Sequence, residues 1–239
     1  AKHGNRSISG VSGSADIFEY FGFDLNSEPN KVNEIIEKFG IGFMFAQKFH
    51  PAMKNVANAR KILGKRTAFN LLGPLSNPAN VKHQLVGVFA DDYIKRIVKI
   101  MQKNDSETIL AVRSEDGMDE ISVTSKNKVC MLKNDKITEF IINPEDYNME
   151  KGNLSDIQVS TKQEAIDAFL SVLNNTSNKT MKEITVLNAA GGILAGGICN
   201  KFDECVELAR ETINNGKTLE KLKQFAKVNN ALEKVKEND

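Results

Sequence analysis

Residues 84–112, QLVGVFADDYIKRIVKIMQKNDSETILAV, decide the fold. Gln84 to Phe89 and Glu107 to Val112 have strand character, and Asp92 to Gln102 between them has helical character, so the stretch predicts a βαβ unit. Such a unit points to a sheet covered by helices. The class expected for the chain is therefore α/β, with a central mixed, largely parallel sheet flanked by helices.

Working outward toward the C-terminus, Lys128 to Leu132 and Lys136 to Ile142 are β-rich and flank Lys133-Asn134-Asp135, which predicts a hairpin. Thr161 and Glu164 have capping-box spacing and open a helical region. Met181 to Gly197 is Gly-interrupted but apolar almost all round, so it should be buried. Helices are expected over Phe202 to Asn214 and Leu219 to Val235.

Toward the N-terminus, Ala15 to Phe21 reads as a short helix with acids in its first turns, capped by Ser12 or Ser14 and stopped at Gly22. A second helix is expected from Pro29 to Phe39, where Val32, Ile35, Ile36 and Phe39 make a stripe and Gly40 breaks it. Ile41 to Ala46 has strand character, and His50 to Leu63 reads as a helix ended by Gly64. Asn70 to Pro78 is rich in turn formers yet apolar, so it reads as an ordered loop.

At 239 residues, 41% apolar and 26% charged, the chain has the composition of a soluble globular protein with a sizeable core. Its 32 Lys and Arg against 31 Asp and Glu leave no global field to recruit nucleic acid or anionic lipid, so any anion site must be local. Cys130, Cys199 and Cys205 lack metal-ligand spacing and are odd in number, which argues for a reducing compartment. No apolar run approaches a membrane span and no signal peptide is evident, so a cytoplasmic location is expected.

The local anion site is sought at Lys2-His3-Gly4-Asn5-Arg6-Ser7-Ile8-Ser9-Gly10-Val11-Ser12-Gly13-Ser14. Gly4, Gly10 and Gly13 let the backbone approach an oxygen-rich ligand, the serines add donors beside a helix N-terminus, and Lys2 and Arg6 would neutralise phosphate. Otherwise the run is a polar loop with a helix cap. Asp116-Gly117-Met118-Asp119-Glu120 follows a predicted strand, where ligand sites of open α/β sheets lie. Adjacent carboxylates there can hold magnesium, or they form a solvated acidic turn. His50 and Arg60, ten residues apart at about 3.6 per turn, fall within roughly 80° of one another on a helix. Arg60 would suit a carboxylate, or else a surface ion pair. His83 has no partner motif and reads as structural.

Five ordered blocks resemble the anthranilate phosphoribosyltransferase family: Lys2-His3-Gly4-Asn5-Arg6 with Ser12-Gly13-Ser14-Ala15-Asp16; Phe43-Met44-Phe45-Ala46 with His50-Pro51-Ala52-Met53-Lys54-Asn55-Val56; Asn70-Leu71-Leu72-Gly73-Pro74-Leu75 with Asn77-Pro78; Asp116-Gly117 with Asp119-Glu120; and Asn188-Ala189-Ala190. The resemblance implies transfer of the phosphoribosyl group of phosphoribosyl pyrophosphate (PRPP) to the amine of anthranilate, in tryptophan biosynthesis. It implies a PRPP site from Lys2, His3, Gly4, Asn5, Arg6, Ser7, Ile8, Ser9, Gly10 and Ser14. Anthranilate would meet Asn5, Arg60, His3, His50, Met53 and Gly73, and Asp119 with Glu120 would bind Mg2+.

Two departures are visible. Gln47 stands in place of a common proline, and Arg113-Ser114 in place of His-Gly. The resemblance further implies, upstream of Lys2, a helical dimerisation region, a Gly-Thr-Gly-Gly-Asp pyrophosphate loop and an Asn-x-Ser-Thr segment. None stands in this sequence, so residues 29–64 are expected to carry helices that pack with the missing region, and position 1 to cut through a binding site. A homodimer and association or fusion with a glutamine amidotransferase (anthranilate synthase) component are implied for the family member. No residue is expected to act as acid or base, because the aniline nitrogen is a neutral nucleophile and metal-bound pyrophosphate a competent leaving group. The alternatives are a related phosphoribosyltransferase or phosphorylase with another nitrogenous acceptor, and a non-catalytic substrate-binding chain.

Overall fold

The computed structural model describes residues 1–6, 10–63 and 69–235. In chain order the elements are β1 (Lys2–Gly4), α1 (Ser14–Tyr20), α2 (Pro29–Phe39), β2 (Phe43–Phe45), α3 (Ala46–Phe49), α4 (Lys54–Leu63) and α5 (Phe69–Leu75). Next come β3 (His83–Gly87), α6 (Asp91–Lys103), β4 (Thr108–Ser114), β5 (Asn127–Lys133) and β6 (Lys136–Ile142). The helices α7 (Lys162–Leu173), α8 (Lys179–Ala195), α9 (Phe202–Asn214) and α10 (Lys217–Val228) complete the chain. They fall into two units, one from residues 1–80, 159–170 and 218 onward, the other from residues 81–158 and 171–217.

The second unit holds the predicted βαβ stretch. Its sheet runs β3-β4-β5-β6, with β3 and β4 parallel in the register His83↔Thr108 to Gly87↔Val112. The other two ladders are antiparallel. The β5–β6 hairpin closes on Asn134 and Asp135, whose φ of 50° and 60° is the doubly left-handed geometry of a type I′ turn. β4 is buried from Thr108 to Val112, as a strand covered on both faces must be. Val186, Leu187, Ala190 and Leu194 of α8 join Leu110 and Val112 in this core, together with Cys205, Val206, Ala209 and Ile213 of α9. The apolar reading of Met181 to Gly197 corresponds to that burial.

The first unit pairs β1 with β2 in parallel and surrounds them with Phe21, Phe23, Phe43, Val32, Ile35 and Phe225. Phe23 and Phe225 stack at 6.0 Å, and Phe18 meets both edge-on at 5.8 and 5.9 Å. α2 starts with Pro29 and ends at Gly40, whose φ of 72° is the left-handed cap expected of glycine there.

Several element expectations are corrected. The cap of α1 is Gly13, not a serine, and the Asp16 carboxylate accepts from Gly13 N at 2.9 Å. The helix predicted from His50 starts only at Lys54, because Pro51 lies in a separate 3-10 turn, Pro51–Met53; Gly64 lies outside the described residues. Asn70 to Leu75 is helical rather than a loop, since Pro74 falls near the end of a short helix where little hydrogen bonding is lost. The last helix stops at Val228, where Asn229 and then Asn230, at φ 54°, break it. The four-stranded sheet is mixed as expected, but it is not largely parallel: only β3–β4 pairs in parallel there, because the β5–β6 hairpin adds two antiparallel ladders, while the separate β1–β2 pair is parallel. Among the described residues no helix is long and apolar enough to cross a membrane.

Candidate active site

In the first unit, β1 carries the start of the cationic run, and Lys2 N donates to Gly42 O at 2.9 Å. His3 gathers two distant stretches: its Nδ1 lies 3.3 Å from Gly73 O and its Nε2 lies 3.1 Å from Nε2 of His50. A carbonyl can only accept, so the proton sits on Nδ1 and Nε2 accepts from His50. The rings meet edge-on, centroids 5.0 Å apart. Burial, followed by repulsion from His50, holds His3 below the ordinary imidazole value of 6.5, against the opposing Gly73 carbonyl. His3 is therefore neutral at pH 7. Met53 N donates to His50 O at 3.0 Å, which ties the 3-10 turn to the same cluster.

Asn5 Oδ1 accepts from Arg6 N at 2.8 Å and from Gln47 Nε2 at 3.2 Å. The departure at Gln47 thus contacts a candidate acceptor-binding residue. Arg6 forks onto Glu19 at 2.8 and 2.7 Å and reaches Asp16 at 3.2 Å. Hydrogen bonding to Glu19 raises its pKa further, so the guanidinium is a fixed charge. Asp16 also takes Lys162 Nζ at 3.1 Å. Burial pushes Asp16 up, but Gly13 N–H, Lys162 and Arg6 outweigh it and the carboxyl stays ionised. The negative charge at the start of α1 is therefore the chain's own. Ser12 Oγ is buried with no partner among the described residues, an orphan donor beside the anion run. Lys2, Gly10 and Ser14 are exposed and Gly4 half-buried. Ser7, Ile8 and Ser9 lie outside the described residues, as does the side chain of Arg60, whose backbone sits on α4.

In the second unit, residues 115–126 follow β4 with neither helix nor strand. Asp116 is their hub: its carboxylate accepts from the hydroxyls of Ser114 and Thr124, from Ser122 Oγ at 2.6 Å and from Met118 N at 3.1 Å. Burial pushes the carboxyl up, but those donors hold it well below the usual carboxylate range. Asn127, fully buried, accepts from Ser122 N at 2.7 Å and donates to Ser122 O at 2.9 Å. Arg113 donates to Phe89 O at 2.6 Å, Asp91 Oδ1 at 2.9 Å and Gly117 O at 3.3 Å. The departure at Arg113-Ser114 is thus part of the scaffold of the acidic turn. Asp116 is structural, whereas Asp119 and Glu120 are exposed.

Two adjacent oxygen donors open to solvent suit a hard cation such as Mg2+, which keeps several waters and shares phosphate oxygens. No group of three or more His, Cys, Asp and Glu stands together among the described residues, so water, or phosphate oxygens where present, would complete the shell of such an ion. The residue types of Gln47 and Asn127 carry no site signal of their own. Gln47 alone left a signal, as a departure from a motif.

Residues 1–219 match the model of the glycosyl transferase family, a/b domain. Over 237 residues the chain is 58% identical to an anthranilate phosphoribosyltransferase of Nitrosopumilus maritimus, covering 99% of this chain and 68% of that one. The crystal structure of the corresponding Thermus thermophilus enzyme superposes with a TM-score of 0.87 at 32% identity, over 96% of this chain and 68% of that one. A variant of the Saccharomyces cerevisiae enzyme, solved with Mg bound, gives 0.81 at 25% identity, over 91% of this chain and 63% of that one. The chain thus spans about two thirds of the length of these relatives. It belongs to the glycosyl transferase a/b-domain family and, within it, to the anthranilate phosphoribosyltransferases.

Proposed function

We propose that this chain serves the transfer of the phosphoribosyl group of PRPP to the amine of anthranilate, giving N-(5-phosphoribosyl)anthranilate and pyrophosphate in tryptophan biosynthesis. The observation that carries the reading is the meeting of His3, His50 and Gly73, residues 47 and 70 positions apart that ring nitrogens join into one cluster. The relatives' activity, as their names state it, supplies the reaction.

The amine attacks the anomeric carbon with its own lone pair, the bond to pyrophosphate breaks, and the amine proton passes to water. The protein's part is to bind, orient and stabilise charge. Neutral His3, edge-on to the His50 ring, meets a planar aromatic acceptor without placing its own charge beside a carbon that gains positive charge. Arg60, on α4, holds the acceptor carboxylate through its planar fork. Lys2, Ser12 and Ser14 bind phosphate, with the Arg6 fork available to it where a phosphate outcompetes Glu19. Asp119 and Glu120 hold Mg2+, which when bound supplies Lewis-acid neutralisation of the pyrophosphate charge. The same reading includes a homodimer and an amidotransferase partner.

The first test is anthranilate binding, followed through its own fluorescence. Arg60→Ala should weaken it about tenfold, a loss of about 1.4 kcal/mol. Unchanged affinity removes Arg60 from the acceptor site. Incubation with PRPP, Mg2+ and anthranilate should yield the phosphoribosyl product, and turnover of another amine but not anthranilate would overturn the acceptor.

A further inference from the structure

We propose that Asn188 is a positioning residue for the Asp119 and Glu120 carboxylates, acting with Gly87 and Gly191; this rests on the reading of those carboxylates as Mg2+ ligands. Both stand on a segment without helix or strand, so no backbone ladder fixes them. Asn188, on α8, supplies the equivalent of one rung. Its Oδ1 accepts from Ile121 N at 3.0 Å, and its Nδ2 donates to Ile121 O at 2.8 Å. Ile121 is the residue directly after Glu120.

The second Nδ2 proton goes to Ile184 O at 2.9 Å, one turn back on the same helix. With two carbonyls and one N–H around it, the amide has a single satisfactory orientation; flipped, its oxygen would face both carbonyls. α8 is itself locked in the core through Val186, Leu187 and Ala190, so the clamp is mounted on a rigid element.

Two glycines complete the seat. Ile121 is fully buried, and a Cβ at Gly191 would come within 2.8 Å of its Cδ1 and 3.3 Å of Leu85. At Gly87, the last residue of β3, a Cβ would overlap the Asp119 carbonyl oxygen and lie 2.8 Å from its carbon. The main chain of Asp119 therefore rests on bare strand, while the amide grips Ile121 two residues later. Between these points the two carboxylates project to solvent from a backbone with little freedom. Residues that orient ligands in this way carry about 10–100-fold in metal affinity when replaced.

Mn2+ alone is the probe, its binding to the chain followed by water-proton relaxation. Asn188→Ala should weaken it at least tenfold and speed amide exchange at Ile121. Val186→Ala, which trims an apolar side chain of the same core and leaves the amide clamp in place, should lower Tm and leave Mn2+ affinity unchanged. Should Asn188→Ala fail to fold, Asn188→Ser, whose hydroxyl cannot span both Ile121 groups, carries the same expectation. Asp119→Asn separates the two levels: if it abolishes Mn2+ binding while the Asn188 variants do not weaken it, the clamp is wrong and the carboxylate site stands. If Asp119→Asn leaves binding intact, or the parent chain binds no Mn2+, the carboxylate site falls and takes the clamp with it.

Discussion

The acidic turn after β4 and the cationic run around β1 are both polar loops beside candidate ligand positions, yet they are built on opposite plans. In the turn, Asp116 and Asn127 are held by buried or half-buried donors and acceptors that belong to the protein, and the candidate ligands Asp119 and Glu120 are exposed. In the run, Arg6 and Glu19 pair at the surface, and only Asp16, which takes Lys162, is buried. A buried network is costly to break and so fixes geometry before any ligand arrives. Exposed ion pairs are worth about 0–1 kcal/mol and exchange readily for a better anion. One region is preorganised; the other can be rearranged by its ligand.

The sharpest way to break the contrast is Asp116→Ala, which removes the charged acceptor shared by the hydroxyls of Ser114, Ser122 and Thr124. Since hydrogen bonds to a charged group contribute about 1.5–3 kcal/mol each, urea unfolding should show a loss of at least about 3 kcal/mol. A loss below about 1 kcal/mol would mean that the turn is no more fixed than the run. Glu19→Gln should by contrast change stability by less than about 1 kcal/mol and strengthen phosphate binding by freeing Arg6, read as a lower PRPP Kd in calorimetry.

Acid should separate the regions as well. The His3 pKa is lowered in the fold, so between its folded value and the ordinary 6.5 the unfolded chain binds more protons, and the stability His3 preserves is lost as pH falls below 6.5. Asp116 is also depressed, from 3.8, so its contribution persists above that value and disappears only in stronger acid. Melting curves from pH 7.5 to 5 should therefore drop in the parent and flatten in His3→Gln, whereas Asp116→Asn should keep the parent slope there. The smallest effect is expected at Gln47→Ala, which removes one exposed hydrogen bond to Asn5: Tm nearly unchanged and anthranilate affinity down by about twofold or less. A tenfold loss would make Gln47 part of the acceptor site.

The βαβ unit and the hairpin were legible because their signals are local: strand and helix alternate within thirty residues, and Asn134-Asp135 tolerates the left-handed turn it adopts. Pro51 and Pro74 were misjudged for the same local reason. A proline breaks a helix only where it removes an interior bond, so Pro51 delays α4 while Pro74 fits near the end of α5. The site was legible as motif blocks, but its wiring was not. Nothing in the residue types of His3, His50 and Gly73 says that they touch, and Asn188 stands in a motif block whose partner, Ile121, only the fold places beside it.

The aromatic core of the first unit has a consequence for synthesis. Phe23 stacks on Phe225, so that core takes material from stretches about two hundred positions apart. At about 5–20 residues per second, Phe21, Phe23 and Phe43 would wait roughly 10–40 s on the ribosome before Phe225 emerges. The second unit is complete at Lys217, so it gains its last residues only roughly 0.4–1.6 s before Phe225 emerges. The early part of the chain is thus the last to find its partners, and the nascent protein exposes its most aromatic surface to chaperones for most of its translation.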